Sequence, residues 1–346
     1  MFATMLVFKS GKGFMYGVPT LTDVARLAGV SENTVSRVIR NKGPIADSTR
    51  TRVTSAIEEL GYVPNRAAGS LASSGSMLMG VLLPSLSNIV FPEVLRGIHS
   101  ALASTEYQAL VGVTDYDALT EQGIVSSLLA WKPAAIIMTG FDHTDATRRM
   151  LENSRVRVAE LMDIDAEPID IAIGLSHRKA GYDSGRHLIS RGYRRFGYVG
   201  HDWTADRRAR KRYEGLCAAL LEAGLTLKAE QRVDGPSSTI AGRDTLARLL
   251  TKKPDIEVVV FSNDDMAVGG FFHCLSAGIA VKEKLGLFGF NGLDIGQSLP
   301  APLSTVRSNR FLIGQTAVEK LLESSERPLE RQIVDTGYVI IEGATA

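Results

Sequence analysis

The sequence contains few of the features that stabilise secreted, membrane or metal proteins. Only two cysteines, Cys217 and Cys274, occur among 346 residues, which leaves no disulfide framework and no CxxC pair for metal or redox chemistry. No hydrophobic run approaches the roughly 20 residues that span a bilayer. These absences favour a globular protein of a reducing compartment, and we expect a cytoplasmic protein without a membrane partner.

Sequence signatures of catalysis are also missing. The chain has no GxSxG nucleophile elbow, no HExxH pair and no GxxxxGKS/T phosphate loop. Its six histidines show no metal-ligand spacing, and Pro168 stands where a calcium loop beginning at Asp163 would need glycine. We therefore predict that the protein is not an enzyme and that it has neither a cofactor nor a metal site.

The charge balance excludes a strongly attractive field around the whole molecule. Lysines and arginines number 39 and acidic residues 38, which gives a formal net charge of +1. Any nucleic-acid binding must therefore come from a local basic surface. The length predicts two or three domains at roughly 100 to 200 residues each.

Residues 20–61 predict three short helices around one small core. Their predicted ends are Thr20 and Gly29 for the first helix, Ser31 for the start of the second, and Asp47 and Gly61 for the third. The turn AGVS between two helices of about eight residues is typical of a helix-turn-helix, whose second helix lies in the major groove of DNA. The alternative for this pattern is a small helical cap without a role in DNA binding.

Polar side chains near the second helix are the candidates for DNA contacts. Asparagine pairs bidentately with adenine and arginine with guanine, each contributing roughly 1 to 3 kcal/mol of discrimination. Hydroxyl side chains suit phosphate contacts, which set the register without reading the sequence. We predict base contacts by Glu32, Asn33, Ser36 and Arg37, and phosphate contacts by Thr20, Thr22, Ser31 and Thr34.

From Met77 onward, short apolar runs alternate with amphipathic helical segments. Examples of the apolar runs are MGVLLP, AAIIMT, FGYVG and EVVVFS. Such alternation indicates parallel sheets covered by helices on both faces. The segment is long for one sheet, so we predict two α/β lobes with a ligand cleft beyond the carboxyl ends of the strands.

Several stretches resemble the lactose-repressor family. TLTDVARLAGVSENTVSRVIRN and LGYVPNRAAGSLAS resemble its headpiece and hinge, and GVLLPSLSNIVFPEVLRGI, FSNDDMAVGG and LGLFGFNGLDIGQ continue the resemblance from Pro19 onward. Within the family, the chain is most similar to the gluconate-utilisation repressors. The resemblance implies an N-terminal helix-turn-helix headpiece followed by a two-lobed α/β effector domain like that of periplasmic binding proteins.

The sequence pattern and the resemblance together divide the chain into four segments. They are a flexible N-terminal extension at 1–18, for which Met5 and Met15 are alternative starts, a helix-turn-helix DNA-binding domain at 19–63, a hinge helix or linker at 64–76, and an effector-binding and dimerisation domain at 77–346. The resemblance assigns base reading to Glu32, Asn33 and Arg37 and moves Ser36 to the backbone contacts. It further implies that Asn65, Arg66 and Ala68 lie in the minor groove, with Leu71 as an apolar wedge. Without the resemblance, this hinge reads as a Gly/Ser-rich linker.

The two-lobed domain is expected to bind its effector through residues of both lobes. The residues that the resemblance implies are Phe91, Thr139, Asp163, Arg210, Arg212, Asn263 and Asn291. Arg212 stands three residues before Gly215, in the place of the family's effector-binding arginine, and Arg210 is the alternative. The other basic residues of this run, Arg207, Arg208 and Lys211, are expected to face water.

Each effector residue also has an ordinary structural alternative. Phe91 can belong to the core, Asp163 can form a surface salt bridge, and Asp264 can cap the helix that follows Asn263. Asn291 stands where many relatives carry an aspartate. An arginine fork in a dry cleft suits a carboxylate, which favours a sugar acid over a neutral sugar.

The sequence therefore predicts a homodimeric repressor that binds a pseudo-palindromic double-stranded operator and is released by a small sugar-acid inducer, with gluconate as the first candidate. One alternative keeps the DNA-binding architecture and makes the small molecule a corepressor. The other is a cytoplasmic sugar-binding protein with a vestigial helical cap.

Overall fold

The computed structural model describes residues 18–41, 43–64, 76–204, 206–324 and 326–346. They form two compact units, one within residues 1–74 and the other within residues 75–346. Four predicted hinge residues lie outside the described residues, namely Asn65, Arg66, Ala68 and Leu71. Among the described residues, no helix combines the length and the apolar character that a bilayer span requires.

The described residues of the N-terminal unit form three helices, α1 (Leu21–Ala28), α2 (Glu32–Ile39) and α3 (Asp47–Leu60). Its small core is built around Val24, Val35 and Val53, which have no exposed surface. The hydrophobic spacing predicted this arrangement because residues three and four apart share one face of a helix.

Most of the predicted helix ends of this unit are confirmed. Thr20 and Asp23 form a reciprocal capping box, and the Ser31 hydroxyl accepts from the backbone N–H of Thr34. The predicted cap at Asp47 is wrong, because α3 begins one residue earlier than expected and Ala46 takes the N-cap position without a side-chain bond. As the first helical residue, Asp47 still places its negative charge at the positive end of the helix dipole.

The first lobe of the C-terminal unit has a six-stranded parallel sheet. Its strands are β1 (Leu78–Leu83), β2 (Gln108–Val113), β3 (Ala135–Thr139), β4 (Arg157–Leu161), β5 (Ile171–Gly174) and β11 (Gln332–Asp335). Their order across the sheet is β11-β5-β4-β3-β1-β2. The helices that cover it are α4 (Val90–Leu102), α5 (Ala118–Ala130), α6 (Asp145–Ser154) and α12 (Arg310–Leu322).

The second lobe has a four-stranded parallel sheet and a two-stranded antiparallel ribbon. The sheet consists of β6 (Phe196–Gly200), β7 (Leu227–Arg232), β8 (Val258–Phe261) and β9 (Gly286–Phe288), in the order β7-β6-β8-β9. The ribbon pairs β10 (Thr305–Ser308) with β12 (Tyr338–Ile341). The helices are α7 (His177–Ser190), α8 (Arg207–Glu222), α9 (Thr239–Lys252), α10 (Asp264–Ala277) and α11 (Asp294–Gln297).

The chain passes between the two lobes three times. The crossings lie between β5 and α7, between β10 and α12, and between β11 and β12. Thr336 donates to the carbonyl oxygen of Gly174 through its N–H at 2.7 Å and its hydroxyl at 2.9 Å, and Asn309 Nδ2 donates to the Thr336 carbonyl oxygen at 2.7 Å. The three crossings are therefore hydrogen-bonded to one another.

Candidate DNA interface and effector cleft

The polar face of α2 is exposed in the N-terminal unit. Val35 and Val38 are buried against the other helices, whereas Glu32, Asn33 and Arg37 are exposed on the opposite side. This is the side of a recognition helix that a DNA groove would meet. The structure thus places the predicted base-reading residues together on one accessible face.

Hydrogen bonds within the unit hold several of these side chains. The Thr22 hydroxyl donates to Glu32 Oε1 at 2.6 Å, which joins the start of α1 to the start of α2. Arg37 donates to the carbonyl oxygen of Pro44 at 3.3 Å. Because both contacts lie at the surface, a DNA group could replace Glu32 Oε1 as the acceptor for Thr22, or the Pro44 carbonyl oxygen as the acceptor for Arg37. The remaining predicted contacts, Thr20, Ser31, Thr34 and Ser36, are exposed or partly exposed.

A cavity of about 330 Å³ lies between the two lobes of the C-terminal unit. Its first-lobe lining consists of Asn88, Val90, Asp115, Tyr116 and Met162, and its second-lobe lining consists of His177, His201, Asp202, Asp206, Arg208, Arg212, Gly235, Pro236, Ser237, Asn263, Phe290, Asn291 and Ser308. This volume is at the lower end of the range for small-molecule sites. The cavity therefore suits a ligand of about the size of a monosaccharide.

Arg212 is the most firmly held charged side chain of the cavity. One terminal nitrogen lies 3.1 Å from His177 Nδ1, the other donates to the Ser262 carbonyl oxygen at 2.9 Å, and the guanidinium lies 4.2 Å from the centre of the Phe290 ring. Burial lowers the pKa of Arg212, but an arginine side chain remains protonated in a protein. The cavity thus contains a fixed positive charge.

Arg208 lies one helical turn before Arg212 on the same face of α8. Its Nε is 3.3 Å from Asp206 Oδ1, and its guanidinium lies 5.7 Å from the centre of the Phe91 ring. Burial alone would raise the pKa of Asp206, but Arg208, a hydrogen bond from His201 and Arg212 together hold that pKa well below its usual value. Two cations therefore share one carboxylate, which leaves one positive charge in excess among the three side chains.

The predicted orientation of two residues of this run is wrong. Arg208 was expected to face water and instead lines the cavity, while Lys211 donates to Asp163 Oδ2 of the first lobe at 2.5 Å. The reason is that α8 begins at Arg207, five residues before Arg212. Extending the helix backward by one turn brings Arg208 onto the face of Arg212. Arg207 is exposed, as expected.

Both predicted asparagines line the cavity. Asn263 accepts from the backbone N–H of Met266 as the N-cap of α10 and donates to the Ser237 hydroxyl at 2.7 Å. The alternative cap, Asp264, is instead buried and accepts from Thr305 and Leu293. Asn291 has φ +127°, a strained backbone conformation of the kind that clusters at ligand sites.

The other four predicted effector residues do not line the cavity. Phe91 is buried beneath Arg208, the Thr139 hydroxyl donates to the Leu82 carbonyl oxygen, and Asp163 pairs with Lys211. Arg210 points to solvent and pairs with Glu214 at 2.9 Å. Two residues after Arg208 on α8, Arg210 is turned by about 200° from that side chain, since a helix has 3.6 residues per turn.

Several cavity residues were missed by the sequence analysis. The clearest are Tyr116, which accepts from Asn88 Nδ2 at 3.1 Å, His177, His201 and Ser308. Tyr116 follows β2, His201 follows β6 and Ser308 ends β10. Their positions at the carboxyl ends of strands were the available signal. The described residues contain no group of three or more His, Cys, Asp or Glu side chains that could hold a metal ion.

A helix-turn-helix unit with an exposed recognition helix, followed by a two-lobed unit with a polar cleft, defines the class of DNA-binding regulators that respond to a small molecule. Family models agree with this class. Residues 20–65 match the model of bacterial regulatory proteins of the lacI family, and residues 76–340 match that of the periplasmic binding proteins and sugar binding domain of the LacI family.

Individual proteins are similar over nearly the whole chain. The HTH-type transcriptional regulator GntR of Pseudomonas aeruginosa is 38% identical over 88% of this chain and 89% of its own length. The crystal structure of a LacI-family transcriptional regulator from Silicibacter pomeroyi is 41% identical with a TM-score of 0.88, over 94% of this chain and 99% of that one. The lac repressor dimer bound to operator and the anti-inducer ONPF is 25% identical with a TM-score of 0.82, over 95% and 99%.

The chain belongs to the LacI family of bacterial transcriptional repressors. The predicted family and fold class are thereby confirmed. Its relatives are transcriptional regulators and not enzymes.

Proposed function

We propose that this repressor is released from its operator by a sugar acid, with gluconate as the inducer. The observation that carries the proposal is the pair of largely buried arginines, Arg208 and Arg212, which share the single carboxylate of Asp206. A ligand with one carboxylate balances the excess positive charge. Asp115 and Asp202 also line the cavity, but among the described residues only Asp206 pairs with either arginine, so a neutral sugar would leave the excess charge without a close counterion, at a cost in desolvation.

The neutral lining groups fit the rest of such a ligand. Asn88, Ser237, Asn263, Asn291 and Ser308 supply hydroxyl and amide groups around the arginine pair. Amide groups both donate and accept, as sugar hydroxyls do. The resemblance to gluconate-utilisation repressors supports the same class of effector.

Titration calorimetry with gluconate and with glucose tests the effector. We expect the Arg212→Gln variant to bind gluconate about 10- to 100-fold more weakly, because a charged hydrogen-bond donor contributes roughly 1.5 to 3 kcal/mol. Arg210→Gln is the matched control, since it removes an equal charge from the solvent face of the same helix. Equal affinities for gluconate and glucose, or equal effects of the two variants, would contradict the proposal.

We further propose that a homodimer binds a pseudo-palindromic operator through α2, with base contacts by Glu32, Asn33 and Arg37, backbone contacts by the hydroxyl residues around them, and a hinge at residues 64–76. The lac repressor in its operator complex is a dimer. An accessible polar face on α2 supports the assignment, since direct readout requires side chains that reach base edges.

Fluorescence anisotropy on a duplex from the protein's own promoter tests operator reading, at fixed salt because phosphate contacts make the affinity salt-dependent. We expect Arg37→Ala to weaken specific binding by roughly 1 to 3 kcal/mol, about 5- to 150-fold, while nonspecific binding changes little. Arg26→Ala, which removes an exposed charge from α1, is the control. Release of DNA on adding gluconate marks an inducer, whereas tighter binding would establish a corepressor and overturn the proposed sign.

A further inference from the structure

His177 joins the effector arginine to the opposite lobe. Its Nε2 lies 2.6 Å from the carbonyl oxygen of Met162, and its Nδ1 lies 3.1 Å from a terminal nitrogen of Arg212. The imidazole is buried, with 3% of the residue exposed. It is therefore the middle member of a hydrogen-bonded chain that runs from Arg212 through the imidazole to a backbone oxygen.

The two partners fix the proton on this imidazole. A carbonyl oxygen can only accept, so Nε2 carries the hydrogen and donates to Met162. Nδ1 then keeps its lone pair and accepts from the guanidinium of Arg212. Burial, followed by the positive charges of Arg212 and Arg208, holds the pKa of His177 well below its usual value, while the hydrogen bond to Met162 and the charge of Asp206 act in the opposite direction. The neutral form that the hydrogen bonds require is thus the form that the surroundings stabilise.

The members of this chain are anchored in different lobes. Met162 directly follows β4, belongs to the core of the first lobe and donates its N–H to Ile173 of β5. His177 is the first residue of α7 in the second lobe. Arg212 is held to that same lobe by Ser262, at the end of β8. If the guanidinium of Arg212 moves relative to the second lobe, its bond to His177 changes. The hydrogen bond from His177 to Met162 in the first lobe is then affected as well.

We propose that His177 is a positioning residue that transmits effector binding at Arg212 to the first lobe through the carbonyl of Met162. The inference rests on the proposed function, in which Arg212 binds the carboxylate of the effector. A ligand carboxylate competes for the donors of Arg212 and alters its bond to Nδ1, so the contact to Met162 differs between the free and bound states. Such a differential contact is what coupling between two sites requires.

Two conservative variants separate the two halves of the chain. In His177→Asn, the amide oxygen takes a position near that of Nδ1 and can still accept from Arg212, while the contact to Met162 is lost. In His177→Gln, the amide nitrogen takes a position near that of Nε2 and can still donate to Met162, while the acceptor for Arg212 is lost. The variants therefore break different links of the same chain.

We expect opposite rankings of these variants in two measurements. His177→Gln loses more gluconate affinity in calorimetry, about 10-fold, whereas His177→Asn loses more of the gluconate-induced release from operator DNA, about 10-fold, which is within the usual range of allosteric coupling. His187→Gln, on the same helix and outside the cavity, is the control and changes neither value. The same ranking in both measurements, or no difference between the variants, overturns the inference.

Wild-type protein gives a readout that does not depend on a folded variant. Nitrogen-15 NMR of the histidine rings should show His177 as the neutral Nε2–H form between pH 6 and 8, with an Nδ1 resonance that shifts on adding gluconate. An Nδ1–H form, or a resonance that gluconate leaves unchanged, overturns the inference. Undiminished gluconate binding by Arg212→Gln would instead contradict the proposed function itself, so the two failures are distinguishable.

Discussion

Several buried charged side chains of the C-terminal unit lie next to groups of opposite charge. Arg157 Nε lies 2.8 Å from Asp170 Oδ2, and Lys211 Nζ lies 2.5 Å from Asp163 Oδ2. Such pairing is required because a lone buried ion would lose its hydration without compensation. The two arginines of the cleft share one carboxylate, Asp206, and the proposed ligand would supply a second.

His143 provides a prediction at the residue scale. Its Nδ1 lies 2.7 Å from Glu121 Oε1 and its Nε2 lies 3.3 Å from Glu160 Oε1, in a nearly inaccessible site. Burial alone would lower the pKa of His143, but the hydrogen bonds and charges of the two glutamates raise it to about 9. The folded state therefore binds a proton more tightly than the unfolded state does.

The stabilisation that this proton provides is complete below the unfolded pKa near 6.5 and is lost as the pH rises through about 9. We expect the free energy of unfolding to fall by on the order of 3 kcal/mol across this interval. In urea unfolding at pH 6 and pH 9.5, His143→Gln should flatten this dependence, while the exposed His99→Gln should not. A wild-type stability that is constant over the interval would contradict the assignment.

Sequence spacing could identify single residues of the cleft only in part. Arg212, Asn263 and Asn291 line the cavity, and each was predicted from its position in a family-like motif. Arg208 was missed because its direction depends on where α8 begins. His177 was missed because its role depends on Met162 and Arg212, which are neighbours only in the folded chain.

At the scale of helices and strands, three helix pairs cross at reciprocal glycines. A Cβ at Gly97 or Gly314 would lie about 2 Å from a backbone oxygen of the partner helix in the α4/α12 pair, and Gly242 and Gly269 meet in the same way in the α9/α10 pair. Such distances are far below van der Waals contact, so the side-chain hydrogen of glycine is what permits the close approach.

The third pair, α7 and α8, connects this packing to the cleft. A Cβ at Gly181 would lie 1.9 Å from the carbonyl oxygen of Arg212, and a Cβ at Gly215 would lie 2.0 Å from that of Arg178. Helix packing therefore explains Gly215, the glycine three residues after Arg212. This glycine sets the distance at which α8 lies against α7.

Two glycine variants give a prediction at this scale. Gly181→Ala and Gly314→Ala should each destabilise the protein by about 1 to 3 kcal/mol, since both force closely packed backbones apart. Only Gly181→Ala displaces Arg212, so only this variant should lose gluconate affinity in calorimetry beyond its loss of stability in urea unfolding. Equal affinities of the two variants would show that the α7/α8 contact does not position the arginine.

Short apolar runs of the sequence coincide with eight strands of the C-terminal unit, namely β1 to β6, β8 and β9. The missed β7, LKAEQR, is polar and lies at the edge of its sheet, where the outer face is not required to be apolar. The short strands β10, β11 and β12 were missed because each has only four residues, too few for a clear periodicity.

At the scale of the whole molecule, exposed apolar side chains occur on both lobes. Leu110 and Val111 lie on β2, an edge strand, and Phe272 and Leu275 lie three residues apart on α10 of the second lobe. An apolar edge strand is usually covered or protected in a soluble protein. These surfaces support the proposed homodimer.

A charge introduced on α10 tests this surface. Leu275 is 65% exposed, and Leu275→Glu should shift the protein from dimer to monomer in sedimentation velocity. Operator affinity should also fall, because two linked headpieces bind one palindrome with a high effective concentration. Leu221→Glu, at 73% exposure on α8, is the control. A dimer that survives Leu275→Glu and dissociates in Leu221→Glu would place the interface elsewhere.

The three crossings between the lobes affect the order in which the protein can fold during synthesis. Helix α12 packs against α4, and β11 pairs with β5, although more than 150 residues separate the members of each pair in the chain. The first lobe therefore remains incomplete until nearly the whole chain has left the ribosome. The described core of the three-helix unit lies within residues 18–64, so this unit can fold much earlier. A nascent chain thus acquires its recognition helix long before it has a cleft to control it.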